Sequence, residues 1–391
     1  MVMRESKGRP PGKRAGALVL TCTVLFLLAA AGCSALWAGR GGTEPSLDVK
    51  IGQMLLVGFR GLSVDDSHPI VRDIRDRFLG GVILFDYDVP SASPVRNVAS
   101  PGQVRELVAS LQSRAPIPLL VAVDQEGGRV CRLKEAYGFP PTVSARFLGD
   151  LNDPGETFRH AGLIAKTLAD LGINLNFAPV VDLDVNPENP VIGKLDRSFS
   201  ADPEAVAAHA LAFIRAHHDR GVLCAPKHFP GHGSAAADSH LGMADVTETW
   251  SALELVPYRI LIAEHAADGI MTAHVFNARL DPDNPATLSR LVVTGLLREE
   301  MGFRGPVFSD DMQMKAVSEH YGFETAVERA VSAGVDVLVI ANNSVYDENA
   351  AARAASVIRR LVESGRIDED RIDRSYRRVK KLKDRLAGFR R

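Results

Sequence analysis

Cysteine is scarce in this chain: four in 391 residues, too few for a disulfide framework to hold the fold. Two of them fall within the first 33 residues. Of the remaining pair, Cys131 and Cys224, the latter sits in an apolar run that suits a buried thiol. Net charge is nearly absent as well, −2 at pH 7. No basic stripe interleaved with aromatic residues occurs, so charge gives no reason to expect a nucleic acid partner. Also missing is a Gly-x-Gly-x-x-Gly turn after an early apolar run, which argues against an open dinucleotide-binding sheet. What remains is a globular make-up, 46% hydrophobic and 24% charged, enough to bury a sizeable core. Its length allows one large domain or two of ordinary size.

Acidic residues are absent from the apolar run 15–31, and Arg4, Lys7, Arg9, Lys13 and Arg14 precede it. A basic region, an apolar region and then small residues make an export signal. Ala30-Ala31-Gly32-Cys33 resembles a bacterial lipoprotein processing site, with Ala30 where leucine is usual. The expectation is a signal peptide over residues 1–32 and lipid on Cys33. The alternative is an uncleaved anchor, for which the run is short, since a span takes roughly 17 or more residues. Either places the protein in the cell envelope, tethered to a membrane on its periplasmic or extracytoplasmic face. Residues 33–47, with Gly-Arg-Gly-Gly, Pro45 and Ser46, read as a linker. Residues 48–391 read as a single domain.

Within that domain short apolar runs recur at 54–59, 81–85, 118–123, 173–180, 222–226, 270–275, 306–309 and 335–341. Amphipathic stretches at 101–114, 155–171, 203–220, 250–267, 289–301 and 324–333 separate several of them. Strands that alternate with helices pair in parallel, and eight of them predict an α/β fold of the (β/α)8, TIM-type barrel kind. Polar residues sit where that fold builds its site, at the carboxyl ends of the strands. Asp86, Asp124-Gln125-Glu126, Asp182, Lys227-His228, His274, Asp310-Asp311 and Asn342-Asn343 each end or follow one run. The tail 349–391 reads as two helices, the last basic through Arg377, Arg378, Lys380, Lys381, Lys383 and Arg385. That face is either solvated or in contact with an acidic membrane or cell-wall polymer.

The densest chemistry lies in KHFPGHGSAAADSH, Lys227 to His240. Pro230, Gly231 and Gly233 forbid a helix there, so the segment reads as a strand end followed by a flexible loop. Asp238-x-His240 puts a carboxylate in reach of an imidazole, which can fix its tautomer and raise its proton affinity. Three further stretches follow a recognisable order: DQEGGRV from Asp124 to Val130, NPVIG with RSF from Asn189 to Phe199, and FSDDMQM from Phe308 to Met314. With these the chain resembles the β-N-acetylglucosaminidase branch of glycoside hydrolase family 3. Lys194-Leu195-Asp196 makes the gap before RSF wider than that family usually shows.

The resemblance implies a catalytic domain with Asp310 as nucleophile, His240 as acid/base and Asp238 as its partner. It also implies that Asp124, Arg197, Lys227 and His228 position substrate. The expected reaction is retaining, exo-acting removal of N-acetylglucosamine from muropeptides, by a monomer without metal or cofactor. Strand alternation is expected to turn Asp311 away from Asp310, leaving it a cap or a supporting hydrogen bond. Asp124 has an alternative use in an ion pair with Arg129, and Glu126 is expected to support the Gly127-Gly128 turn. His232 is expected to shape the loop, and His274 to line the rim or pack in the core. Other readings stay open: a β-glucosidase or β-xylosidase of the same family, transfer to phosphate in place of water, and a non-catalytic sugar-binding lipoprotein. A metal-dependent barrel hydrolase built on His228, His232, His240, His274 and Asp310 is a further one.

Overall fold

A computed structural model describes Val2, residues 44–239 and residues 242–389. The signal sequence, Cys33 and His240 lie outside the described residues. The chain divides into two units, Met1–Pro45 and Ser46–Arg391, and the elements described belong to the second. Ser46 caps the first helix, Leu47–Gln53, by accepting from the Val49 amide. Leu47, the last residue of the expected linker, is thus already helical.

Short apolar stretches with both faces covered make parallel strands. All eight expected runs contain one: β1 Leu55–Gly58, β2 Gly81–Leu84, β3 Leu120–Val123, β4 Leu175–Asn176, β5 Leu223–Cys224, β6 Ile270–Met271, β7 Val307–Phe308 and β8 Leu338–Ile340. The fold is α/β around a six-stranded parallel sheet in the order β8-β1-β2-β3-β4-β5. Leu55 pairs with Leu338, Leu56 with Gly81 and Gly81 with Leu120. β6 and β7 form a separate parallel pair, Ile270 opposite Val307. Single bridges join Val180 to Lys227, Phe229 to Thr272 and Phe308 to Val337.

The two-residue period of the strands divides the core in two. Leu55, Val57, Val82, Leu84, Val121 and Val123 pack outward with the helices. Leu56, Ile83, Leu120, Ala122, Leu175, Leu223, Met271, Phe308 and Val339 pack together on the other face. Val379 and Leu382 of the C-terminal helix Glu369–Phe389 join that inner cluster. Asp336, directly before Val337 and β8, ties this helix down. It is fully buried, pairs with Arg298, accepts from Arg378 at 3.0 Å and Ser375 at 2.5 Å, and receives the Val307 amide at 2.9 Å.

Two expected elements break up. The stretch 250–267 forms a short turn, Ala252–Leu255, and then a helix, Val256–Ala263; Pro257 lacks the amide that a continuous helix would use. The run 270–275 ends at Met271, and Val275–Phe276 pairs instead with Ala244–Asp245. Cys131 and Cys224 are free and buried, and burial raises the Cys224 thiol well above its usual range. No helix among the described residues is long and apolar enough to cross a membrane.

Asp336→Ala should cost about 3–5 kcal/mol, because it leaves buried guanidiniums without their counter-charge. Burial pushes the Asp336 carboxyl up, but Arg298, Arg371 and Arg378 outweigh it and hold the group below its usual range. Its contribution is therefore complete above the unfolded value, about 3.9, and is lost only as pH falls through the lower folded value. Urea melts of both chains at pH 7 check this; a difference under about 0.5 kcal/mol, the range of a plain surface change, would contradict it.

Candidate active site

At the carboxyl ends of the strands the inner face opens into a cavity of about 330 Å³. Its floor is apolar: Ile83, Phe85, Phe177, Met271 and Val339. Its wall is charged: Asp124, Glu126, Arg132, Arg197, Lys227, His228, Asp310 and Asp311. Five of the residues expected at the site, Asp124, Arg197, Lys227, His228 and Asp310, thus meet in one place. Asp238 is half-buried and outside this lining.

Lys227 follows β5 and its side chain is only 3% exposed. An ammonium this deep needs anions around it. Asp124 lies 2.7 Å and Glu126 2.8 Å from its Nζ. Arg197 grips Glu126 through both oxygens, at 2.8 and 2.7 Å, the bidentate geometry a guanidinium favours. Arg132 adds a longer contact to Asp124, 3.5 Å, and Arg129 pairs with Asp196, not with Asp124. Burial pushes the Glu126 and Asp124 carboxyls up. Arg197 and Lys227 outweigh this at Glu126, and Lys227 and Arg132 at Asp124, so both stay below the ordinary carboxylate range.

The wide gap before RSF does not displace Arg197. Asp196 turns the chain with φ 56°, and the Val191 carbonyl accepts from Arg197 Nη1 at 2.7 Å. His228 Nδ1 donates to Asp182 at 2.6 Å, and Nε2 accepts from Arg197 at 3.3 Å. Asp182 also receives the amide of His232 at 2.8 Å. One buried carboxylate therefore fixes both ends of His228–His232.

The base of the loop is clamped. Asn189 donates to the carbonyls of His232 and Gly233 at 2.8 and 3.1 Å. Trp250 donates to the Pro230 carbonyl at 3.0 Å, and Glu254 receives the Gly233 amide at 2.9 Å. A Cβ at Gly233 would stand 1.9 Å from the Leu183 carbonyl oxygen, so only glycine fits. Burial raises the Glu254 carboxyl to about 7 and lowers the His232 imidazole to about 4. His232 reaches Ser239 at 3.0 Å. Beyond the clamp, Ala236 and Ala237 are exposed.

Asp310 and Asp311 both line the cavity, against the expectation from strand alternation. β7 ends at Phe308, so the pair sits in a turn where alternation no longer holds. Asp311 accepts from the amides of Gln313 and Ala341 at 3.1 and 2.9 Å and supports the turn as expected. Asp310 receives the Asp311 amide at 2.8 Å. His274 is fully buried and hydrogen-bonds the Asp311 carbonyl through Nε2 at 2.9 Å, so it belongs to the core. Among the described residues no group of three or more His, Cys, Asp or Glu is disposed to hold a metal.

Sequence reasoning missed Arg132 and Glu254; it put Glu126 and Asp182 at strand ends but gave Glu126 only a turn to support and Asp182 no role of its own. Glu126 carried a signal: it stands two residues from Asp124, and an extended chain puts such a pair on one face. Asp182 and Glu254 act on the cavity only through His228 and the loop; the end of an apolar run marks Asp182, and no local pattern marks Glu254. Glu126→Gln should weaken the hold on Lys227 and Arg197. We expect kcat/KM for an aryl glycoside to fall roughly 10- to 100-fold, as for a lost charged hydrogen bond, mostly through KM. An unchanged KM would contradict this.

The model of the glycosyl hydrolase family 3 N-terminal domain matches residues 46–382. A beta-hexosaminidase from Xylella fastidiosa is 40% identical over 308 residues, 77% of this chain and 87% of that protein. Among solved structures, a family 3 beta-N-acetylglucosaminidase from Paenibacillus sp. superposes with a TM-score of 0.80 at 39% identity, over 88% of this chain and 63% of that one. Beta-N-acetylhexosaminidase from Beutenbergia cavernae gives 0.77 at 29% identity, over 88% of this chain and all of that one. With the matched domain spanning the cavity and every charged group that lines it, the chain belongs to glycoside hydrolase family 3 and is a glycoside hydrolase.

Proposed function

We propose that this enzyme is a retaining exo-β-N-acetylglucosaminidase acting on cell-wall muropeptides through a covalent intermediate on Asp310. The proposal takes the eight strands as a closed (β/α)8 barrel; the bridges from Phe229 to Thr272 and from Phe308 to Val337 support closure. The observation that carries the mechanism is the state of the cavity's carboxylates. Asp124 and Glu126 are held as anions by Lys227, Arg197 and Arg132, and a permanent anion cannot donate a proton. Asp311 spends an oxygen on two backbone amides. The proton for the leaving oxygen is then best sought outside this set, and the resemblance to the family offers His240, partnered by Asp238, on the neighbouring loop.

In the first step an Asp310 oxygen bonds to the anomeric carbon as the glycosidic bond breaks. The His240 proton goes to the departing oxygen. In the second, neutral His240 takes a proton from water, whose oxygen attacks the anomeric carbon and releases Asp310. Asp238 stabilises the imidazolium. Asp124, Lys227, Arg197 and His228 position the sugar, Asp124 accepting from its hydroxyls and Lys227 and Arg197 donating to them, while the apolar floor faces a ring face. The exposed alanines beyond the clamp suit a loop that moves during the cycle. The N-acetyl preference is supported by the names of the solved relatives, and the cell-wall substrate by the export signal.

Asp310→Ala should abolish turnover. His240→Ala should cost about 10²–10⁴-fold on substrates with poor leaving groups, and far less on a dinitrophenyl glycoside. Asp238→Ala should act as a weaker His240→Ala. A 5-fluoro glycoside followed by peptide mapping should label Asp310. A label on Asp311 would move the nucleophile, and no label would favour attack by the substrate's own acetamido group. Equal turnover of a glucoside lacking the acetamido group would refute the specificity, and faster turnover with phosphate would change the acceptor.

We further propose that Cys33 is the first residue of the mature protein and carries lipid, holding the enzyme at the envelope as a monomer. Mass spectrometry of the membrane-extracted chain should show a diacylated Cys33. An intact leader would refute this.

A further inference from the structure

A cleft of about 330 Å³ lies at the amino ends of the strands, away from the catalytic cavity. Arg290 and Arg298 come from one helix, Leu291–Glu300, and the residue before it; Arg371, Arg374 and Arg378 come from the C-terminal helix, and Arg366 from the turn before that helix. Against six guanidiniums stand three carboxylates. Asp336 is buried beneath them, Glu328 pairs with Arg366, and Asp368 lies on the rim.

Arg298 is the informative one. It is 7% exposed and lines the cleft. Its two terminal nitrogens are used, on Asp336 and on the Gly305 carbonyl at 3.0 Å. Its Nε is buried and has no hydrogen-bond partner among the described residues. That donor is enclosed by the protein, so an entering oxyanion would meet the guanidiniums at the mouth of the cleft, and Arg298 adds its positive charge from beneath. Arg290 and Arg374 stand exposed at the mouth. A guanidinium fork matches phosphate oxygens in pairs. Arg378 joins the cleft to a neighbouring groove, where Arg304, Lys381 and Arg385 extend the basic surface.

We propose that this cleft is an oxyanion site that takes the phosphate group of an anionic lipid headgroup. The C-terminal helix that supplies half of its arginines also holds the helix Leu47–Gln53, where the chain enters the domain. Lys50 pairs with Glu369 at 3.2 Å and Asp373 at 2.6 Å, and Lys383 donates to Gln53 at 2.6 Å. A lipid tether at Cys33 would join the domain at this helix. The choice of a lipid over free phosphate rests on that proposed tether; the oxyanion site does not.

The test uses the full chain in neutral detergent, titrated calorimetrically with dihexanoyl phosphatidylglycerol, dihexanoyl phosphatidylcholine and inorganic phosphate. Phosphatidylglycerol should bind saturably and phosphatidylcholine should not. The double variant Arg290→Ser, Arg374→Ser should bind phosphatidylglycerol at least roughly tenfold more weakly, the cost of one charged hydrogen bond or more. Its turnover of an aryl glycoside should be unchanged, which also shows that it is folded. Phosphate binding as tightly as phosphatidylglycerol, and lost in the variant, would overturn the lipid as source. No saturable binding of phosphatidylglycerol, or binding indifferent to the two substitutions, would overturn the site. The lipid on Cys33 is read separately by mass, so either proposal can fail without the other.

Discussion

A lysine ammonium taken out of water is the constraint on which the catalytic end is organised. Lys227 is stable there because Asp124 and Glu126 face it, and Glu126 is stable because Arg197 faces it in turn. None of the four can leave without exposing another to uncompensated burial. The set therefore arrives assembled, with donors and acceptors aimed into the cavity before any sugar enters. Its members come from chain positions a hundred residues apart, brought together only because β3 and β5 end at the same level of the sheet.

That arrangement divides the labour of the carboxylates. Neighbouring cations keep Asp124 and Glu126 anionic, suited to binding hydroxyls and unsuited to giving protons. Glu254, with no such cation and deep burial, is raised to about 7, yet it is spent on the loop base and stays out of the cavity lining. The two ends of the strands repeat the same physics with opposite signs. At the carboxyl ends, anions surround buried cations. At the amino ends, guanidiniums surround buried Asp336, and Arg385 and His218 meet buried Asp268. The surplus of positive charge there is the basis for the proposed headgroup site.

Much of this was legible in the sequence, and for stated reasons. Strands buried on both faces are continuous apolar runs, so all eight were visible. The residues directly after them line the cavity, so Asp124, Lys227, His228 and Asp310 were visible too. The break in 250–267 has a local mark in Pro257, which lacks the amide a continuous helix needs. Pairing of Val275–Phe276 with Ala244–Asp245 depends on a distant partner and leaves no local mark. Glu126 was read as a turn support because its neighbours are glycines; only its ion pairs with Arg197 and Lys227, contributed by other segments, show its place. Asp311 was read by a strand rule at a position where the strand had already ended.

The claim that the cations lock the cavity carboxylates, leaving the proton to a loop imidazole, is tested most directly by the heat of one ionisation. The basic limb of kcat/KM, measured on a substrate with a poor leaving group, reports the acid. An imidazolium loses its proton with a substantial uptake of heat, so its pKa falls on warming; a carboxyl group's scarcely moves. The account predicts a basic limb whose pKa falls steadily with temperature. A limb that stays in place would assign the proton to a carboxyl group and contradict it.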